Sequence, residues 1–290
     1  RLEQLPFDLD ELPATFSKFR KVVEKKPSLL PDRPIDSRSI GERIPSVWAD
    51  PAEWKEALEI PLDPSIEVPT HGGAESASGH WKAYLDARAL SHYKQTRNAF
   101  QGPMQSSHLS AWLAHGCISP RQIWWDTLQY EQDVEANEST YWLRFELLWR
   151  EYFRWYSRAS DWTLFRRTGP SDQVFGFDQN ARRFERWKTG HTDCDIVDAA
   201  MRELNQTGWM SNRARQLVAS HLIYESNLDW RLGAAYFESQ LVDFDVASNW
   251  GNWAYIAGVG PDPRGGRIFH LNDQADRYDP DGSYRRRWLS

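Results

Sequence analysis

The sequence predicts an all-helical domain standing behind a proline-rich connector, and three observations carry that prediction. Ten of the 16 prolines fall before residue 70, so the first quarter of the chain is punctuated too often for a continuous core. After it, apolar residues recur at helical spacing almost throughout, with little strand-type alternation and no evident repeat. The composition, 40% hydrophobic and 26% charged over 290 residues, is that of a globular protein with a sizeable core.

The elements follow in order. Residues 1–78 read as a connector with short helical pieces, and Asp50-Pro51-Ala52-Glu53 supplies N-cap, first-turn proline and N3 carboxylate for a helix at 51–59. His71-Gly72-Gly73 through Ser78-Gly79 marks a break, and a helical body is expected over 79–290. The stretch 80–98 reads as one amphipathic helix. Ser119-Pro120-Arg121-Gln122 opens another, carrying Ile123, Trp124 and Leu128. Over 140–160, Trp142, Phe145, Trp149, Tyr152 and Trp155/Tyr156 share a face, with Glu146 and Arg150 beside it. NRARQLVASHLIYES and DWRLGAAYFESQLVDF supply two more helices.

Several function classes fall away. The apolar run 217–224 is far short of the roughly 20 residues of a membrane helix, and no apolar leader follows Arg1. Cys117 and Cys194 form no CxxC pair and are expected as reduced thiols, so a cytoplasmic protein is expected, or a nuclear or organellar one in a eukaryote. No Walker lysine, GxGxxG after a strand, HExxH pair or nucleophile elbow is present, and no metal is expected. The net charge of −6 excludes a uniformly basic nucleic-acid coat while leaving room for a local arginine face.

What remains is aromatic and polar together. Of 16 tryptophans, several lie among Asn, Asp and Arg in 207–255, where each indole N–H needs a partner. That mixture suits a flat aromatic ligand held by its polar edges, although tryptophan-rich packing alone yields part of the pattern. Ser106, Ser107 and Ser110 precede a helix and suit an anion, as ordinary capping also would. Asp243 and Asp245 read as a helix C-terminus, which the helix dipole disfavours for acids, so Arg213 or Arg215 is expected beside them, with Asn249 in a following turn.

The stretches KQTRN (94–98), WLAHGCISPRQ (112–122), FELLWREYFR (145–154), IVDAAMRELNQTGWMSNRARQ (196–216), LDWRLGAAYFESQLVDFD (228–245) and SNWGNWAYIAGVGPDPR (248–264) together decide the family. In order and spacing they resemble the photolyase/cryptochrome flavoproteins, most closely those of DASH type. The start, LPFDLDELPATFSKFRK, resembles that family's interdomain connector, and this chain looks like the FAD-binding part without the N-terminal α/β antenna domain. A folate-type antenna would belong to that missing domain. The resemblance implies FAD folded in a U, with Tyr93, Ser106, Ser107, Leu109 and Ser110 at phosphate positions and Glu146 and Arg150 on a pocket helix. It implies Arg215 and Asp243 paired against the isoalloxazine, Asp245 at the ring's polar edge, and Asn249 facing N5, where an amide stabilises the protonated, reduced flavin. Glu146, Trp149, Asn212, Arg213, Gln216 and Tyr255 match dimer-facing, DNA-binding positions, with Glu146, Trp149, Asn212 and Asn249 carrying the catalysis.

The activity so implied is blue-light repair of cyclobutane pyrimidine dimers by electron transfer from reduced flavin. Ser211 and Arg215 stand where the (6-4)-specific enzymes carry histidines. Tyr255, where classical photolyases carry Trp, favours single-stranded DNA, and a monomer is expected. The alternative is a blue-light photoreceptor without repair. Trp253 and Trp230 match the inner and middle members of the family's electron-transfer chain, while the outer position falls on Phe177, so photoreduction is expected to be impaired or rerouted through Trp250 or Trp187. A KTG stands at 188–190, three residues early, ahead of HTDCD (191–195).

Overall fold

Asn137 shows how the central helix of this protein is set. Its side chain accepts from the backbone N–H of Ser139 and Thr140, while Thr140 Oγ1 accepts from the N–H of Asn137, closing a capping box. From that cap the helix runs over Glu138–Ser160, ending where Asp161 turns left-handed at φ 48°. The computed structural model describes residues 5–26, 71–171, 176–262 and 264–290, and the helix expected at 51–59 lies outside them. Among the described residues there is no strand, only an isolated bridge between Asp178 and Leu228.

In chain order the helices that frame the site are α1 (Phe16–Glu24), α2 (Ala74–Asp86), α3 (Tyr93–Thr96), α4 (Ser110–Ala114), α5 (Pro120–Asp133) and α6 (Glu138–Ser160). They continue as α7 (Ala181–Lys188), α8 (Asp195–Thr207), α9 (Asn212–Ser220), α10 (Trp230–Gln240), α11 (Val246–Ala257), α12 (Leu271–Tyr278) and α13 (Ser283–Leu289). Ser119 caps α5 as expected, accepting from the N–H of Arg121.

Three expectations are corrected. The run 80–98 is not one helix: α2 starts ahead of residue 79 and stops at Asp86, and Arg88 turns left-handed at φ 55°. The break lets Leu90 and Tyr93 drop into one buried cluster with Trp81 and Tyr84, so burial overrides helical continuity. Asp243 and Asp245 do not end a helix. Asp243 lies in the loop after α10, and Asp245 is the N-cap of α11, accepting from the N–H of Ser248 at 2.8 Å, where an acid is favoured. Asn249 therefore sits on α11 rather than in a turn.

Two tight crossings hold α11 in place. A Cβ on Gly233 of α10 would stand 2.2 Å from the Trp253 ring, and one on Gly251 would stand 2.4 Å from the Phe153 ring of α6. The bare glycines let whole rings fill the gaps between helices. On the other side, Gly208 caps α8 at φ 68°, and its carbonyl accepts from the N–H of Val242, which draws the 241–245 loop toward α9. At 188–195, Thr192 donates from backbone and side chain to Asp198 and so closes the HTDCD loop. The stretch 5–24 packs Phe16 and Phe19 against Leu148, Tyr152 and Trp155 of α6. No described helix is long and apolar enough to cross a membrane.

Candidate flavin and lesion site

Asn212, at the start of α9, lines three adjoining cavities. The first, about 230 Å³, holds Tyr93, Ser106, Ser107, Leu109, Ser110, Glu146 and Arg150 with Arg215 and Asp243. The second, about 110 Å³, is formed by Arg215, Asp243, Asp245, Asn249 and Trp253. The third is the largest, about 640 Å³, with Glu146, Trp149, Arg213, Gln216 and Tyr255 in its walls. The residues marked for cofactor and for lesion thus fall on two sides of one set of shared walls.

In the first cavity the serines lie on a loop held from behind. His80 bonds the Ser107 carbonyl at 2.9 Å, and His108, left-handed at φ 50°, bonds that of Gly102. Burial pushes the Tyr93 phenol well above its usual range, so it stays a neutral donor. Arg150 reaches the Leu113 carbonyl with Nη2.

The second cavity is charged on one wall. Of the two arginines expected beside Asp243, it is Arg215 that pairs, Nη2 to Oδ2 at 2.8 Å, while its Nε donates to the Met210 carbonyl. Arg213 instead lies over Phe269 and Tyr278. The Asp243 side chain is 1% exposed, and its Oδ1 is buried with no partner among the described residues. A buried carboxylate oxygen left in that state is costly, so the site calls for a donor such as the N3–H of an isoalloxazine or a ribityl hydroxyl. Asn249 donates from Nδ2 to the Ala234 carbonyl at 2.9 Å, which fixes the amide and leaves its oxygen as the acceptor for a ligand. These residues fit a flavin.

The third cavity has aromatic walls. Trp149 and Tyr255 stand edge to face with centroids 5.5 Å apart. Arg267 lies over the Tyr255 ring at 4.8 Å and donates to its hydroxyl. Glu146 Oε1 accepts from Arg97 at 2.9 Å and from Trp142 Nε1 at 3.0 Å, leaving Oε2 to a ligand. Burial raises the Glu146 pKa, against the lowering effect of Arg97 and the Trp142 bond. Arg97, Trp142 and Arg267 are not among the site residues expected from the sequence. Arg97 lies inside the KQTRN stretch and Trp142 is one turn before Glu146, so both signals were present.

The tryptophans extend from the second cavity. Trp253 stands edge to face with Trp187 at 6.1 Å, while the fully buried Trp230 donates to the Arg167 carbonyl and meets Trp250 at 5.7 Å. Phe177 is half-buried beside Arg167, whose guanidinium donates to its carbonyl and lies over its ring. The phenylalanine therefore flanks the residue that holds Trp230.

The model of the FAD binding domain of DNA photolyase matches residues 142–290, which contain most of α6 and every helix after it. The chain belongs to the photolyase/cryptochrome family. FAD is accordingly its cofactor. The chain is 48% identical over 285 residues to cryptochrome DASH of Vibrio parahaemolyticus, covering 98% of this chain and 62% of the relative. It is 43% identical over 294 residues to that of Synechocystis, covering 99% of this chain and 59% of the relative. A solved Synechocystis cryptochrome superposes with a TM-score of 0.85 at 40% identity, over 99% of this chain and 60% of that one. A class III photolyase from Agrobacterium tumefaciens gives 0.72 at 32% identity, over 81% and 49%. This family member spans about three fifths of the cryptochromes it matches.

Proposed function

We propose that this domain repairs cyclobutane pyrimidine dimers in single-stranded DNA under blue light. The observation that carries the reading is the sharing of Glu146, Asn212 and Gln216 between the large aromatic cavity and the two flavin cavities, so a lesion there lies against the cofactor's walls. The FAD held by these residues would, when reduced and lit, supply the reversible electron transfer that splits the dimer. The protein's own residues do the rest. Trp149 and Tyr255 offer two apolar ring surfaces inclined at 72°, suited to the bent stack of a dimer taken out of a strand. Glu146, its pKa raised by burial, accepts from a pyrimidine N–H through Oε2 or holds a proton at that oxygen.

Arg97, Arg150, Arg213, Arg264 and Arg267 line the large cavity of a chain with net charge −6. Positive charge concentrated at one mouth suits phosphates on either side of a flipped nucleotide. A single strand presents its bases without the cost of opening a duplex, which matches a modest basic face with stacking walls.

The test supplies chemically reduced FAD, so that no internal electron path is needed, and follows repair of a thymine dimer in a single-stranded oligonucleotide and in the matching duplex. Repair of the single strand well ahead of the duplex is expected. Equal or better repair of duplex would remove the strand preference, and no repair of either with fully reduced FAD would assign the domain to light signalling.

A further inference from the structure

We infer that Phe16, on the first turn of α1, is a positioning residue of the lesion cavity, fixing the Trp149 ring on which a damaged base stacks. The inference rests on the cavity reading above. Three observations carry it. The Phe16 ring lies against Trp149 with centroids 3.8 Å apart and planes within 15°, a face-to-face stack far closer than its edge contacts with Phe145 at 5.0 Å and Tyr152 at 5.9 Å. Phe16 is 3% exposed although Thr15, Phe16 and Ser17 all border the large cavity. The segment is also anchored from the far side, where Tyr152 donates to the Pro13 carbonyl and Phe19 packs on Tyr152.

An indole has two faces, and Phe16 covers one of them. Phe153 stacks on the same indole at 5.3 Å with planes 30° apart, and Tyr255 meets its edge at 5.5 Å, so the part of the ring that lines the cavity is held from several sides. A ring held in this way loses little rotational freedom when a base stacks on it, which is how a rigid support strengthens binding without touching the ligand. A leucine at 16 would keep the segment buried but replace a flat plate with a branched, mobile surface. The stretch 5–24 then belongs to the recognition wall and is more than a tether to α6.

The experiment measures, in the dark on the FAD-loaded protein, dissociation constants for one single-stranded oligonucleotide with and without a central thymine dimer. Bound flavin is quantified by absorption and folding by near-UV circular dichroism. Phe16→Leu should shrink the preference for damaged strand by about threefold to tenfold, the worth of one aromatic pair, with flavin content and affinity for undamaged strand unchanged. Phe16→Tyr, which keeps the plate, should retain the natural preference. Should Phe16→Leu reduce the folded yield, Phe16→Met refills the volume without a ring and takes its place. An unaltered preference in the ring-less variant, or equal losses with leucine and tyrosine, would overturn the inference. Failure of the unsubstituted protein to prefer damaged strand would sink the cavity reading itself and the inference with it.

Discussion

At the scale of single residues, the proposed flavin wall rests on one oxygen. Asp243 uses Oδ2 for Arg215 and keeps Oδ1 buried and unpaired among the described residues, so a bound ligand that donates there removes a standing penalty. Asp243→Asn loses the charge that both Arg215 and the ligand need. FAD retention should fall by roughly tenfold to a hundredfold, the worth of a charged hydrogen bond, read as the flavin-to-protein absorbance ratio after dialysis. A ratio equal to the natural one would show that Oδ1 does not face the cofactor. Asn249 carries a second test. With Nδ2 fixed on the Ala234 carbonyl, its oxygen is a neutral acceptor, whereas a carboxylate at the same place is ionisable and cannot make that donation when charged. Asn249→Asp should therefore change which reduced form of flavin persists after illumination, and identical spectra would place Asn249 away from N5.

At the scale of elements, α10 and α11 bring the tryptophans together, because Gly233 leaves room for the Trp253 ring. Trp230 is held through the Arg167 carbonyl, and Phe177 is beside that arginine. A phenyl ring is much harder to oxidise than an indole, so the proposed electron path through Trp230 needs another surface ring. Trp250 meets Trp230 at 5.7 Å and donates to an exposed Glu238 carboxylate at 2.8 Å, which steadies positive charge on the indole. Trp187 is fully buried and has no such outlet of its own. Trp253→Phe should nearly abolish light-driven bleaching of the oxidised-flavin absorption, Trp250→Phe should lower its yield, and Phe177→Trp should raise it. If Trp250→Phe and Phe177→Trp both leave the yield unchanged, Trp187 is the next ring to replace. The helices themselves were legible where a side chain caps them, as at Ser119, because capping is local chemistry. The stop at Asp86 was not, since it depends on where Leu90 and Tyr93 find a buried surface, and the 241–245 loop was misread because Asp245 caps the helix that follows it rather than ending the one before.

At the scale of the whole molecule, most of the candidate site was legible as six ordered stretches, yet its support from distant chain was not. Phe16 reaches Trp149 across more than a hundred residues, and no periodicity encodes such a pairing. Glu203 is another case. It is 5% exposed on α8 and accepts from the Tyr284 hydroxyl of α13 at 2.5 Å, with Arg215 and Arg287 near enough to favour its charge. Burial outweighs the bond from Tyr284 and both arginines, and lifts its pKa from an ordinary 4.5 to about 7. Over that interval the folded chain holds a proton that the unfolded chain has already lost. The contribution to stability is therefore full at pH below about 4.5 and is lost as pH rises through about 7, a change on the order of 3 kcal/mol. Glu203→Gln keeps an acceptor for Tyr284 but cannot ionise. Urea unfolding at pH 5 and pH 8 should show the natural domain losing stability across the interval and the variant losing much less, so that Glu203→Gln is the more stable of the two at pH 8. Parallel losses in both proteins would mean that Glu203 ionises freely in the folded chain.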